Sequence, residues 1–199
     1  MGQLVAETVR AYGDNFARCL VVGIPPALLA LVTTHVSRRA SLALSPTLYG
    51  ALLSASLVVA CTIALERRPP LRRLALAWFA GCLVFAPVPF LVLGLILPAL
   101  AWLAAVGLVV PVLVVEDVKP KEALGRAWRL ARADYVHALG SLATLAIVVF
   151  LTQAVLAFLL RGAGGAAIDV AFVVANIVIS PMLFVGTALL YVDQRARVK

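Results

Sequence analysis

Apolar residues fill this chain in long unbroken runs, and the short polar stretches between them set its organisation. A helix crosses a bilayer in about 20 residues. Six runs approach or exceed that length: 17–36, 46–65, 74–94, 98–115, 136–160 and 166–192. The block 74–115 is nearly continuous and reads as two spans with a turn near 94–98; a single buried unit is the alternative. None of the runs alternates apolar with polar residues, which argues against the strands of a β-barrel. The pattern predicts an all-α polytopic membrane protein. Glu7 and Asp14 interrupt the first sixteen residues, and no short apolar core leads to a small-residue cleavage site, so the first span is expected to persist rather than act as a leader.

Two polar stretches carry a helical period of their own. In 120–135, Leu124, Trp128, Ala131 and Tyr135 are spaced four, three and four, one stripe of a helix, while Arg126, Arg129 and Arg132 fall off it. In 3–16, Val5, Val9, Tyr12 and Phe16 repeat that spacing at an offset of 119 residues (Val5 to Leu124, Phe16 to Tyr135). At the same offset Arg10 matches Arg129, Asn15 matches Asp134 and Leu20 matches Leu139. Each stretch opens onto two spans, so the chain reads as a duplicated unit of surface helix, span, span, with 74–94 and 98–115 inserted. Both surface helices then fall on one side, a parallel repeat about an axis along the membrane normal. The alternative is that two amphipathic helices share a spacing and nothing more.

Pro120 suits the first turn of a helix, where its missing N–H costs nothing. Glu116, Asp117 and Glu122 sit near that positive helix end. The aromatic residues Tyr12, Phe16, Trp128, Tyr135 and Tyr191 suit headgroup depth, where the arginines can reach phosphates. Trp128 has a second, compatible reading as a residue packed on the bundle.

Composition agrees with the pattern. The chain is 64% hydrophobic and only 13% charged, with a mean hydropathy of +1.08. A soluble domain of 199 residues needs far more polar surface, so 1–199 reads as a single integral membrane domain. Charge adds orientation. Of the 17 Lys and Arg residues, 14 fall at the N-terminus, in 66–73, in 116–135 or at the C-terminus, leaving Arg38, Arg39 and Arg161 for the other side. The positive-inside rule places the rich side, and both termini, in the cytoplasm. The net charge of +8 is then explained by anionic lipid headgroups, with no call for nucleic acid.

Candidate chemistry is sparse. Cys19, Cys61 and Cys82 form no CxxC pair, so the reading is buried packing residues, with no metal and no cofactor. Gln153 and Asn176 are the mid-membrane polar residues, either bonded to each other or in contact with a substrate. Asp169 either caps its helix or lines an outward cavity with Arg161. Asp193 either pairs with a surface-helix arginine, Arg126 or Arg129, or belongs to a solvated tail. Prolines 25, 26, 87, 89, 111 and 181 lie within spans and can kink them. They do not obey the repeat, which weakens a transporter built on broken helices at matching positions.

A set of short motifs points to a family. Pro111, Glu116, Glu122-Ala123-Leu124, Arg126, Trp128, Arg129-Leu130 and Tyr135 form one. Pro181, Thr187, Leu190, Tyr191, Asp193, Arg195 and Arg197 form a second, and Tyr12 with Asn15-Phe16 a third. With these the chain resembles the membrane domain associated with glycerophosphodiester phosphodiesterases and the related YciC-like bacterial integral membrane proteins. The resemblance implies a location in the inner membrane. It implies no phosphodiesterase activity, because the spans leave no room for the soluble barrel that some relatives carry.

The expected function is therefore a non-enzymatic membrane component that engages lipid, a partner protein or a second copy of itself through Arg10, Arg126, Trp128, Arg129 and Arg132. A transporter or permease subunit with a polar path near Gln153 and Asn176 is the competing expectation.

Overall fold

The computed structural model describes residues 2–35, 38–94, 96–159 and 165–198, without side chains at 33–35, 38–45, 93–94, 157 and 165–169. The described elements are helices: α1 (Gly2–Asp14), α2 (Phe16–His35), α3 (Arg38–Ala64), α4 (Leu71–Phe85), α5 (Val88–Gly94), α6 (Ile96–Val106), α7 (Val109–Val115), α8 (Pro120–Ala133), α9 (Tyr135–Leu159), α10 (Gly165–Ile179) and α11 (Pro181–Arg197). Five runs among them are long and apolar enough to cross a membrane: Pro46–Ala64, Leu71–Val92, Ile96–Val115, Tyr135–Leu156 and Val170–Arg197. A sixth is reached only by joining α1 to α2, which meet at a bend of 103°. The architecture is an all-α polytopic bundle. The expected pairing of Asp169 with Arg161 lies outside the described residues.

Three of the runs are broken helices, and the sequence explains each break. Pro87 interrupts 71–92, and the chain restarts with Phe90 N–H bonded to Pro87 O at 3.1 Å. Gly107 follows the last residue of α6, and its N–H bonds Leu103 O at 2.7 Å. Pro181 opens α11 at its first position, where it needs no donor. Pro25 and Pro26, by contrast, lie inside α2 without ending it. In the region 94–98, where a turn is expected, α5 ends at Gly94 and α6 starts at Ile96.

Helix crossings are set by glycine. A Cβ on Gly23 of α2 would lie 2.5 Å from Ile177 Cα on α10, inside van der Waals contact with backbone. Pro181 has no N–H to offer the Ile177 carbonyl, and α2 approaches that carbonyl at Gly23. A Cβ on Gly50 of α3 would lie 3.0 Å from Cys82 O of α4, and one on Gly81 of α4 would lie 2.9 Å from Ser54 Cβ of α3. Small residues at crossings let backbones approach where lipid supplies no hydrophobic drive. Buried hydroxyls close the same seams: Ser54 donates to Trp78 O at 2.6 Å and Ser56 to Val22 O at 2.8 Å. Cys19 and Cys61 are buried between these helices.

The link from α3 to α4 turns on Glu66, whose φ of 48° is left-handed. Its N–H bonds Ile63 O at 3.3 Å and the Arg67 N–H bonds Thr62 O at 3.2 Å, the paired bonds that close a helix C-terminus when the next residue turns left-handed.

Candidate membrane-surface interface

The basic segments meet at one end of the bundle, and Glu116 is the first point where they join. It closes α7 with extended backbone and donates its N–H to Val112 O at 2.8 Å. Its side chain is largely enclosed, so its oxygens need partners. Oε2 pairs with Arg126 of α8. Oε1 accepts the Tyr191 hydroxyl of α11 at 2.8 Å, and Arg195 donates to that hydroxyl at 3.4 Å. Tyr191, expected as an interfacial anchor, is buried at this junction.

Asp134 is the second point. It separates α8 from α9 and caps α9 by accepting the His137 N–H at 3.1 Å. Its other oxygen takes Arg197 at 2.9 Å. Arg197 also pairs with Asp193 at 3.0 Å, and His137 Nε2 lies 3.2 Å from Asp193. The buried Gln194 donates to Asp134 O at 3.4 Å. Asp193 thus pairs within α11 and with His137, not with Arg126 or Arg129. The reason is geometric: Arg126 is engaged by Glu116, and Arg197 lies one turn from Asp193 on the same helix. A further ion pair, Arg73 to Asp117, ties the start of α4 to the turn before α8.

The faces of α8 are divided differently from the expected stripe. The inward face is Ala123, Ala127, Leu130 and Ala131. Leu124 and Trp128 point away from the bundle, 51% and 45% exposed, and the Arg132 guanidinium lies 5.2 Å from the Trp128 ring centroid. Alanines bring α8 close to α6 and α7, and that leaves the large side chains outside. Arg10, Arg129 and Glu122 are also exposed.

The pattern recurs in α1 at the same offset. Leu4 and Thr8 are buried, as are Ala123 and Ala127; Val9 and Phe16 are exposed, as are Trp128 and Tyr135. α1 ends at Asp14 and α2 starts at Phe16, while α8 ends at Ala133 and α9 starts at Tyr135. The supports differ, since α1 leans on α11 and α8 on α6 and α7. The Tyr12 hydroxyl donates to Val178 O at 2.5 Å and that of Tyr135 to Ala101 O at 3.0 Å. Phe16 meets Tyr12 edge-on, with ring centroids 5.5 Å apart.

Within the spans, Gln153 Nε2 donates to Asn176 Oδ1 at 3.3 Å, and Asn176 donates to Phe172 O at 2.9 Å. This is the amide pair expected between α9 and α10. Among the described residues, no three His, Cys, Asp or Glu side chains are grouped to hold a metal ion.

The role of Asp134 was not among the expectations from sequence, although an Asp standing directly before an apolar helical run is a capping signal. The Arg73–Asp117 pair was also missed; it joins the start of α4 to a turn distant in the chain and has no local signature. No protein-family model matches the chain, and neither a curated protein nor a solved structure matches it.

Proposed function

We propose that the chain is a non-enzymatic component of the cytoplasmic membrane that holds anionic lipid against its basic end, with α2 as a sixth span after the bend from α1 and both termini in the cytoplasm. The observation that carries this is the division of α8. Its alanine face is inward, and a Trp128–Arg132 pair with Leu124 beside it is turned outward. An apolar ring topped by a guanidinium matches the boundary between acyl chains and phosphates. The three basic segments joined by Glu116, Asp134 and Asp117 support a common side for the loops and the C-terminus. The matching ends and burial of α1 and α8 support a duplicated anchor, with Arg10 and Arg129 as counterparts. The motifs around Pro111, Glu116, Trp128 and Pro181 favour kinship with the phosphodiesterase-associated membrane domain. The Gln153–Asn176 bond favours a packing contact over a transport path, because each amide is occupied by the other.

Depth-dependent quenching tests the reading. In a chain carrying Trp78→Phe and Trp102→Phe, reconstituted with brominated lipids, Trp128 is quenched most by bromines near the headgroup. Equal or stronger quenching by bromines near the bilayer centre, or none at all, overturns the anchor.

A further inference from the structure

A second feature of the basic end lies away from the Trp128 face. Between the start of α4 and the turn into α8 is an open cavity of about 670 Å³, whose lining includes Pro70, Arg72, Arg73, Leu76, Asp117 and Lys119. Its charge is unbalanced. Arg73 is matched by Asp117, while Arg72 and Lys119 have no ion pair among the described residues. Both α4 and α8 begin at its wall, at Pro70 and Lys119, and neither has a side-chain cap. Pro120 has no N–H to offer at the start of α8, and the Arg73 N–H is taken by Pro70 O at 2.8 Å, so the two cations carry the charge of the site.

The rest of the lining is apolar, and it continues out of the cavity. Arg72, Leu76, Phe79 and Leu83 fall on one stripe of α4, and the last three are exposed, Phe79 and Leu83 at 62% and 64%. A cation at the surface end of a stripe that runs down a spanning helix suits a molecule with an anionic head and an apolar tail. A free phosphate would use the cations and leave the stripe idle.

We infer that this cavity is a binding site for a single anionic phospholipid, its phosphate between Arg72 and Lys119 and its acyl chain along Leu76, Phe79 and Leu83. The inference rests on the lipid-engaging reading above but uses residues that the α8 anchor does not. Asp117 is the opposing charge: it holds Arg73 and repels the incoming phosphate.

Titration of the full chain in zwitterionic detergent with phosphatidylglycerol, read by native mass spectrometry, tests it. Each cation near a headgroup contributes about a fivefold factor. The Arg72→Gln, Lys119→Gln double variant therefore binds about 30-fold more weakly, and Asp117→Asn about fivefold more tightly. Phosphatidylcholine binds weakly to every form. Leu76→Gln with Leu83→Gln weakens lipid binding and leaves the melting temperature of the chain unchanged. Water-soluble glycerophosphoglycerol binds poorly; equal binding of that headgroup would assign the site to a free phosphate ester and overturn the lipid. Unchanged binding by the double variant removes the site altogether. Trp128→Ala leaves the titration unaltered, so failure here and failure of the α8 anchor are read separately.

Discussion

Tyr191 and Glu116 stand 75 residues apart in the chain, and the Tyr191 hydroxyl donates to Glu116 Oε1 at 2.8 Å. Tyr191 is buried, and Glu116 is otherwise held by the more exposed Arg126. The carboxylate therefore depends on the tyrosine more than on the arginine. Tyr191→Phe is expected to cost about 1.5–2 kcal/mol of unfolding free energy. Arg126→Ala is expected to cost under about 1 kcal/mol, because an exposed pair is screened. Glu116→Ala costs most, about 3 kcal/mol, since it strands a buried hydroxyl as well. Unfolding in mixed micelles of increasing denaturing detergent ranks the three, and a larger effect for Arg126→Ala than for Tyr191→Phe contradicts the geometry.

Two glycines predict opposite signs. Gly23→Ala puts a methyl against the backbone of Ile177, which has no rotamer to yield, and is expected to destabilise by about 1–3 kcal/mol. Gly125 lies inside α8 with nothing within 4 Å of an added Cβ. Gly125→Ala should stabilise by about 0.5–1 kcal/mol through the unfolded chain and helix propensity. The same micellar unfolding assay reads both, and equal signs would be inconsistent with the α2–α10 crossing.

Glu66 holds a left-handed φ of 48° while closing α3. The strain of a Cβ there is about 1 kcal/mol, and glycine removes it. Glu66→Gly is expected to raise the melting temperature by a few degrees, measured by circular dichroism. Glu66→Val should lower it, because branching at Cβ worsens the same clash.

Asp193 gives a test of pairing. A double-mutant cycle between Asp193→Ala and Arg197→Ala should show the small, salt-sensitive coupling of an exposed pair one helical turn apart. The cycle between Asp193→Ala and Arg129→Ala should show none. Measurable coupling to Arg129 would mean that α11 ends against α8 in a different register.

Gln153→Leu removes the bond to Asn176 and is expected to cost about 0.6 kcal/mol, the average for such bonds in a membrane. Asn176→Leu removes that bond and the one to Phe172 O, and should cost more. Single-cysteine accessibility along α9 should stay low in both.

The spans were legible because length and continuity of apolar residues carry them, and Pro87 and Pro181 announced their own breaks. The two amphipathic helices were legible in existence, and Trp128 was expected at headgroup depth, but the inward face was not legible: Ala131 shared the expected stripe with Leu124 and Trp128 and is buried while they are exposed. In a membrane protein large apolar side chains can face outward, and Ala123 and Ala127 take the inside because small residues allow close approach. The Gln153–Asn176 bond was readable because two lone amides at similar depth have few other partners. The joining of Glu116 to Tyr191, and of Asp117 to Arg73, was not readable: each depends on where helix ends meet, which local sequence does not encode.

Gly23 and Gly50 share one trait: the nearest atoms across each crossing are a neighbour's backbone. The spacing of the spans at these points is therefore set by main-chain bulk, like beads threaded to a fixed gauge. Residues that look out to lipid, such as Phe79, Leu83 and Phe150, can be exchanged for others of similar hydrophobicity without altering that gauge. A saturation screen for folded protein should thus show a lattice of intolerant glycines set in a permissive apolar field.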